Sequence, residues 1–272
     1  MSPRSLNEVE RGIRSLLMDR SPTFIEGVSL RGQDAYRRLV RNGVVNNILR
    51  SCPIAHGRLK LAGHAEGLTP WVARFLEEEG PTTRLYRDVP MDFARWIGAL
   101  AERYPDALPH PSLPELIAWE VLEVDVLLAP NAAAQVVKTR PQLDLALVFD
   151  PSLRLAAYRY PVHRLGKDAP AGTAPFPDEG GPWVIVAWRD SERFRWKTVS
   201  PVFGQLLAMA AQTGAALGEL FSQLRGMGQR FDEGFIRGQL VDFGGRGALV
   251  GFAEPDDPDS TSCAAATLHE NR

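Results

Sequence analysis

The side chains in this chain that could do chemistry are scattered. Its five histidines are His56, His64, His110, His163 and His269. They fall in stretches that read as loops or tail, and none has an acidic or histidine neighbour at i+3 or i+4. A three-ligand metal site would therefore have to be assembled from distant segments. The two cysteines, Cys52 and Cys263, lie far apart and form neither a CxxC zinc pattern nor a disulfide framework. Asp256, Asp257 and Asp259 could chelate a hard cation, but they read more simply as part of a flexible acidic tail. The phosphate loop GxxxxGK[ST], a strand-to-helix GxGxxG, the GxSxG elbow and HExxH are absent. Gly244, Gly245 and Gly247 sit between two strand-like stretches, which makes them a turn rather than a nucleotide cradle. Catalysis by this chain would need a histidine or carboxylate cluster hidden from the linear order, so it is expected to be no enzyme and to hold no cofactor of its own.

Two other groups of residues carry more information. Glu120 lies in the middle of the apolar face of LPELIAWEVLEVDVLLAP (Leu113–Pro130), a stretch that is apolar nearly all round and so reads as a central helix. A carboxylate there is costly unless paired. The expected partner is a guanidinium of the basic helix QDAYRRLVRNGVVNNILR, Arg37 or Arg41, in a structural ion pair. The second group decorates strand-like segments with aromatic and basic side chains: Tyr158, Arg159 and Tyr160, then Val184, Val186, Trp188 and Arg189, then Phe194 and Trp196. These are the candidate peptide-binding residues, since a sheet edge can accept an extended peptide as one more strand. The same pattern also fits a sheet that is simply buried on both faces.

The elements that would position these groups fall into two sets. Residues 1–130 read as a helical domain. It opens with the amphipathic stretch SLNEVERGIRSLLM, followed by the basic helix over residues 33–50 and a loop carrying Cys52, Pro53 and His56. Next comes the helix WVARFLEEE, opened by Thr69 and Pro70 and closed by Gly80, then MDFARWIGALAERY and the central helix. After Pro130 the period changes. LDLALVF and RLAAYRYPV read as strands about an Asp150–Pro151 turn, and WVIVAWR with FRWKTV reads as a β-hairpin. Ser200 and Pro201 open a helix closed by Gly214, and a second helix runs from Ala216 to Leu224. QLVDF and ALVGF, joined by the glycines 244–247, are expected to make a final hairpin. Residues 131–253 thus take the outline of a winged-helix-like α+β domain, and 254–272 an expected disordered tail. The fold class is α+β, helical first.

Composition narrows the partners. The chain has 272 residues, 44% hydrophobic and 24% charged, with 31 basic against 33 acidic side chains and a net charge of -2. That is the make-up of a soluble globular protein and gives no general basic excess for nucleic acid. No apolar run approaches the roughly 18 residues of a membrane span, and no signal-peptide pattern opens the sequence, so a cytoplasmic location without membrane contact is expected.

Taken in order, these residues resemble a bacterial family with a helical N-terminal domain, once labelled a DNA-binding domain. Its members are partner proteins of multinuclear non-heme iron oxidative enzymes that modify ribosomally made peptides. The resemblance is carried by AYRRLVRNGVVNNILRSCPIAHGRL (Ala35–Leu59), WVARFLEEEGPTT (Trp71–Thr83) and LPELIAWEVLEVDVLLAP with Glu120 at the family's glutamate. It continues in PSLRLAAYRYPV (Pro151–Val162) and VAWRDSERFRWKTVSPVFGQLLAMAAQTGAALGEL. It spans roughly residues 5–253, both halves in the same order, and is similar to the partner subunits of methanobactin and thiaglutamate biosynthesis. Trp119–Glu120–Val121 departs from the family's usual Glu–Trp order. The resemblance implies a non-catalytic subunit in a heterodimer with the iron enzyme. That enzyme holds the iron and oxidises a precursor cysteine, and this chain recruits the precursor's leader through a peptide-recognition-like region. The alternative from the residues alone is a winged-helix DNA-binding transcriptional regulator, suggested by the basic helix, the glycine-tipped hairpin and Arg225, Arg230, Arg237 and Arg246; the near-neutral total charge argues against it.

Overall fold

The computed structural model describes residues 29–83, 85–131, 140–166, 174–178, 180–255 and 268–269. The fold is mixed α+β, with a helical region first and an α/β region after it. The chain divides into two compact units. One comprises Met1–Val121 and Leu165–Phe176; the other comprises Leu122–Arg164 and Pro177–Arg272. The division between these units falls inside the central helix. The amphipathic stretch expected at Ser5–Met18 lies outside the described residues.

In the first unit, α1 (Leu30–Ser51) starts where the Ser29 hydroxyl accepts the Gly32 amide. α2 (Pro53–Leu61) follows after Cys52. The sequence predicts a loop here. Pro53 is instead the first helical residue, where its missing N–H costs nothing. His56 therefore sits on a helix, not in a loop. α3 (Thr69–Glu78) ends at Gly80 with φ 66°, and α4 (Val89–Arg103) brings Phe93 and Trp96 within 6 Å of the Phe75 ring. Buried Asp92 of α4 accepts the amides of Thr82 and Thr83 at 2.7 and 3.0 Å, which fixes the connection between α3 and α4.

α5 (Leu113–Leu128) begins in this unit and carries Glu120, 7% exposed. The sequence predicts a guanidinium partner. Among the described contacts, the carboxylate is met by backbone amides: Ile54 N–H donates to one oxygen at 2.6 Å and Ala55 N–H to the other at 2.8 Å. Arg41 reaches Glu77 at 3.5 Å, and Arg37 lies 3.6 Å from Asp34. The N-terminus of α2 offers orphan N–H donors and the positive end of a helix dipole, and a carboxylate from a neighbouring helix satisfies both.

In the second unit, β1 (Ala146–Phe149) pairs antiparallel with β5 (Leu249–Ala253). The larger sheet has the order β4-β3-β2-β6, with β2 Arg154–Tyr158, β3 Trp183–Asp190, β4 Arg193–Val199 and β6 Leu268–His269. The β3–β4 hairpin turns on Ser191 and Glu192, with Ser191 at φ 59°. β6 runs parallel to β2, so this part of the expected disordered tail is a strand; 256–267 and 270–272 lie outside the described residues. α6 (Pro201–Thr213), α7 (Leu217–Gly226) and α8 (Glu233–Gly245) pack Phe203, Phe221, Leu240 and Phe243 against Leu155, Val186 and Trp188.

The glycine-tipped hairpin expected from QLVDF to ALVGF does not form. QLVDF is the body of α8, and β5 pairs with β1 instead. Asp232 caps this helix by accepting the Phe235 amide at 3.1 Å. Ile236, Leu240 and Phe243, at i, i+4 and i+7, form its buried stripe. Gly244 and Gly245 end the helix rather than turn a strand.

Candidate peptide-binding edge

Among the described residues β4 is the terminal strand of the four-stranded sheet, paired through its register with β3. Alternation divides the hairpin into two faces. Val184, Val186, Trp188, Arg195, Lys197 and Val199 point one way, toward the helices. Trp183, Ile185, Ala187, Arg189, Phe194, Trp196 and Thr198 share the other face.

The candidate residues separate sharply when burial is read. Tyr158, Tyr160, Val186 and Trp188 are each less than a tenth exposed, so they are core and not anchors. Trp188 uses its indole N–H internally, donating to the Arg246 carbonyl at 2.9 Å. Val184 packs its methyl against Gly204 of α6, where an added Cβ would stand 2.5 Å away. Arg189 is engaged structurally. Its guanidinium donates to the carbonyls of Leu127, Ala129 and Pro130 at 2.7 to 3.0 Å and to Asn131 Oδ1 at 2.8 Å, closing the C-terminus of α5. Alternation alone could not separate these from anchors, because both faces of the inner strands are covered. Arg159 is exposed, Phe194 half-buried and Trp196 41% exposed, and these three keep surface for a ligand.

The structure adds residues from outside the regular strands. The short turn Val162–Arg164 after β2 lays the His163 ring 5.2 Å from Trp183 and 5.3 Å from Trp196. Arg164 stands over Trp183 at 4.3 Å. Burial first, and the neighbouring Arg164 charge second, lower the His163 pKa below the usual histidine value, so the ring is held neutral. The signal available in the sequence was the polar ring in YPVHR directly after a strand, opposite a tryptophan-rich hairpin. β4 itself reads RFRWKTV, three cations and no acid. Arg195 lies 3.4 Å from Asp190, and Lys197 lies 3.0 Å from Asp242 of α8. Asp242 is kept ionised by hydrogen bonds from Arg246 first and Lys197 second, which lower its pKa. An edge strand of this kind offers main-chain donors and acceptors, an aromatic shelf and the exposed Arg193 beside two ion-paired cations, a combination suited to an extended peptide.

In the first unit, Cys52 is fully buried beside Glu120; burial, then that carboxylate, push its thiol well above the usual range, so it stays protonated and unreactive at neutral pH. Among the described residues no group of three or more His, Cys, Asp and Glu is placed to hold a metal ion, and no helix is long and apolar enough to cross a membrane. No protein-family model and no curated protein matches the chain.

Proposed function

We propose that this chain is a non-catalytic partner subunit of a multinuclear non-heme iron peptide-modifying oxidase, and that it recruits the leader of a ribosomally made precursor for cysteine modification in a cytoplasmic complex. The observation that carries the reading is β4: a terminal strand bearing an exposed tryptophan and three cations, backed by the His163–Trp183 shelf. The ordered resemblance of residues 5–253 to partner proteins of iron oxidases supports the choice of enzyme class. The regulator reading is weakened by α8, since the residues expected to supply a wing are helical. The test is capture of the tagged full chain from its native host, with mass spectrometry and iron analysis of the eluate. An iron-containing protein together with a small cysteine-bearing peptide is the expected result. A metal-free chain alone, or one carrying DNA, would overturn it.

A further inference from the structure

A second surface, on the helical unit, stands apart from the β4 reading and rises or falls independently of it. α1 carries five arginines, no lysine and a single acid, Asp34. Arg37 and Arg41 are turned toward Asp34 and Glu77, but Arg31, Arg38 and Arg50 are exposed and make no ion pair among the described residues. At 100° per residue these three, with exposed Asn42 and Asn46, fall within an arc of about 120° and span about 28 Å of helix. An apolar strip overlaps this polar row: Leu39, 68% exposed, falls inside the arc, and Tyr36, 43% exposed, lies beyond its edge, with Leu85 50% and Tyr86 55% exposed. Tyr86 is held in the strip by its own bonds, its hydroxyl donating to the Gly43 carbonyl and its carbonyl accepting from Asn47 Nδ2 at 2.5 Å.

We propose that this face of α1, with Leu85 and Tyr86, docks an acidic amphipathic helix of a partner protein. Tyrosine and arginine enriched together, with lysine excluded, is the composition of a protein interface, whereas the apolar strip would find nothing to cover it on a phosphodiester backbone. The row of three exposed guanidiniums, without an acidic partner among the described residues, sets the partner's charge: carboxylates spaced along one side of a helix, with large apolar residues beside them.

The full chain would be titrated by fluorescence anisotropy with a labelled helical peptide of about 18 residues, long enough to match α1, bearing a glutamate row beside a leucine and tryptophan row. Three comparison probes are needed: the same peptide with lysine for glutamate, a DNA duplex of about 20 base pairs, and phosphatidylserine vesicles. Saturable binding of the glutamate peptide is expected, with the lysine peptide weaker by roughly tenfold or more. Arg38→Glu and Leu39→Ser should each weaken the glutamate peptide by roughly tenfold, with the melting temperature unchanged because both side chains are exposed. No saturable binding of the glutamate peptide, affinity unaltered by both substitutions, or tighter binding of the duplex or the vesicles would each overturn the proposal.

Discussion

Glu120 and His56 show how single polar groups secure the helical unit. Removing the Glu120 side chain leaves the amides of Ile54 and Ala55 without their acceptor, so Glu120→Ala should cost about 2–3 kcal/mol in urea unfolding. Glu120→Gln keeps one acceptor and should cost less. The His56 Nδ1 accepts the Leu68 amide at 3.1 Å, which requires the neutral ring. Burial, then Lys60, lower its folded pKa, and burial does the same for His163. For both, the unfolded state takes up protons first as pH falls. Their stabilisation is therefore complete above the usual histidine value of about 6.5 and is lost as pH drops through the lower folded values. Stability followed by chemical denaturation should decline over that window, and His56→Asn, which keeps an acceptor, should flatten part of the decline. Gly67 belongs to the same contact. At φ 57°, a Cβ there would press on the His56 ring and its carbonyl, so the turn admits only glycine.

Between elements, contacts are closed by small residues and by one arginine. Gly204 lets α6 lie directly on β3, and Gly204→Ala would place a methyl 2.5 Å from Val184 Cγ1, a clash worth about 1–3 kcal/mol. Adding Val184→Ala should recover most of that loss, and a double-mutant cycle by thermal melting measures it. Arg189 closes α5 with four hydrogen bonds, so Arg189→Met should destabilise the second unit by about 2–3 kcal/mol while leaving peptide capture per folded molecule unchanged. Trp196→Ala should lower capture per folded molecule roughly tenfold, because its 41% exposed ring is the aromatic the edge presents to a ligand. Much of this scale was legible in advance. Proline and glycine punctuation marked α3, α4 and α6, and period-two alternation marked the β3–β4 hairpin. The same glycine signal misled at residues 244–247, where the Asp232 cap and the stripe of Ile236, Leu240 and Phe243 were the stronger evidence.

For the molecule as a whole, the division into two compact units predicts that damage stays local. In hydrogen exchange followed by mass spectrometry, Glu120→Ala should speed exchange in α2 and the first turns of α5 while leaving α6, α7 and α8 at wild-type rates. Gly204→Ala should give the opposite pattern. Loss of protection spread evenly over both units would show that they fold as one cooperative body. The near-neutral net charge of -2 hides an uneven distribution, with Arg31, Arg38 and Arg50 of α1 making no ion pair among the described residues and a run of cations on β4. Docking at either place should weaken as salt rises.

The sequence alone determined the α+β class, the helical first half, most helix limits and the hairpin, because these follow from local periodicity and from residues that start and stop elements. It also singled out Glu120 as a carboxylate in an apolar face, and marked the tryptophan-rich strands as the place to look for a ligand. Only the tertiary structure decided that Glu120 caps α2 with its carboxylate, since a helix N-terminus three helices away in the chain leaves no mark beside residue 120. Only the structure sorted Trp188 and Arg189 from Trp196. Neighbours on a strand share chemistry and spacing, and which of them reaches water depends on what packs over each face.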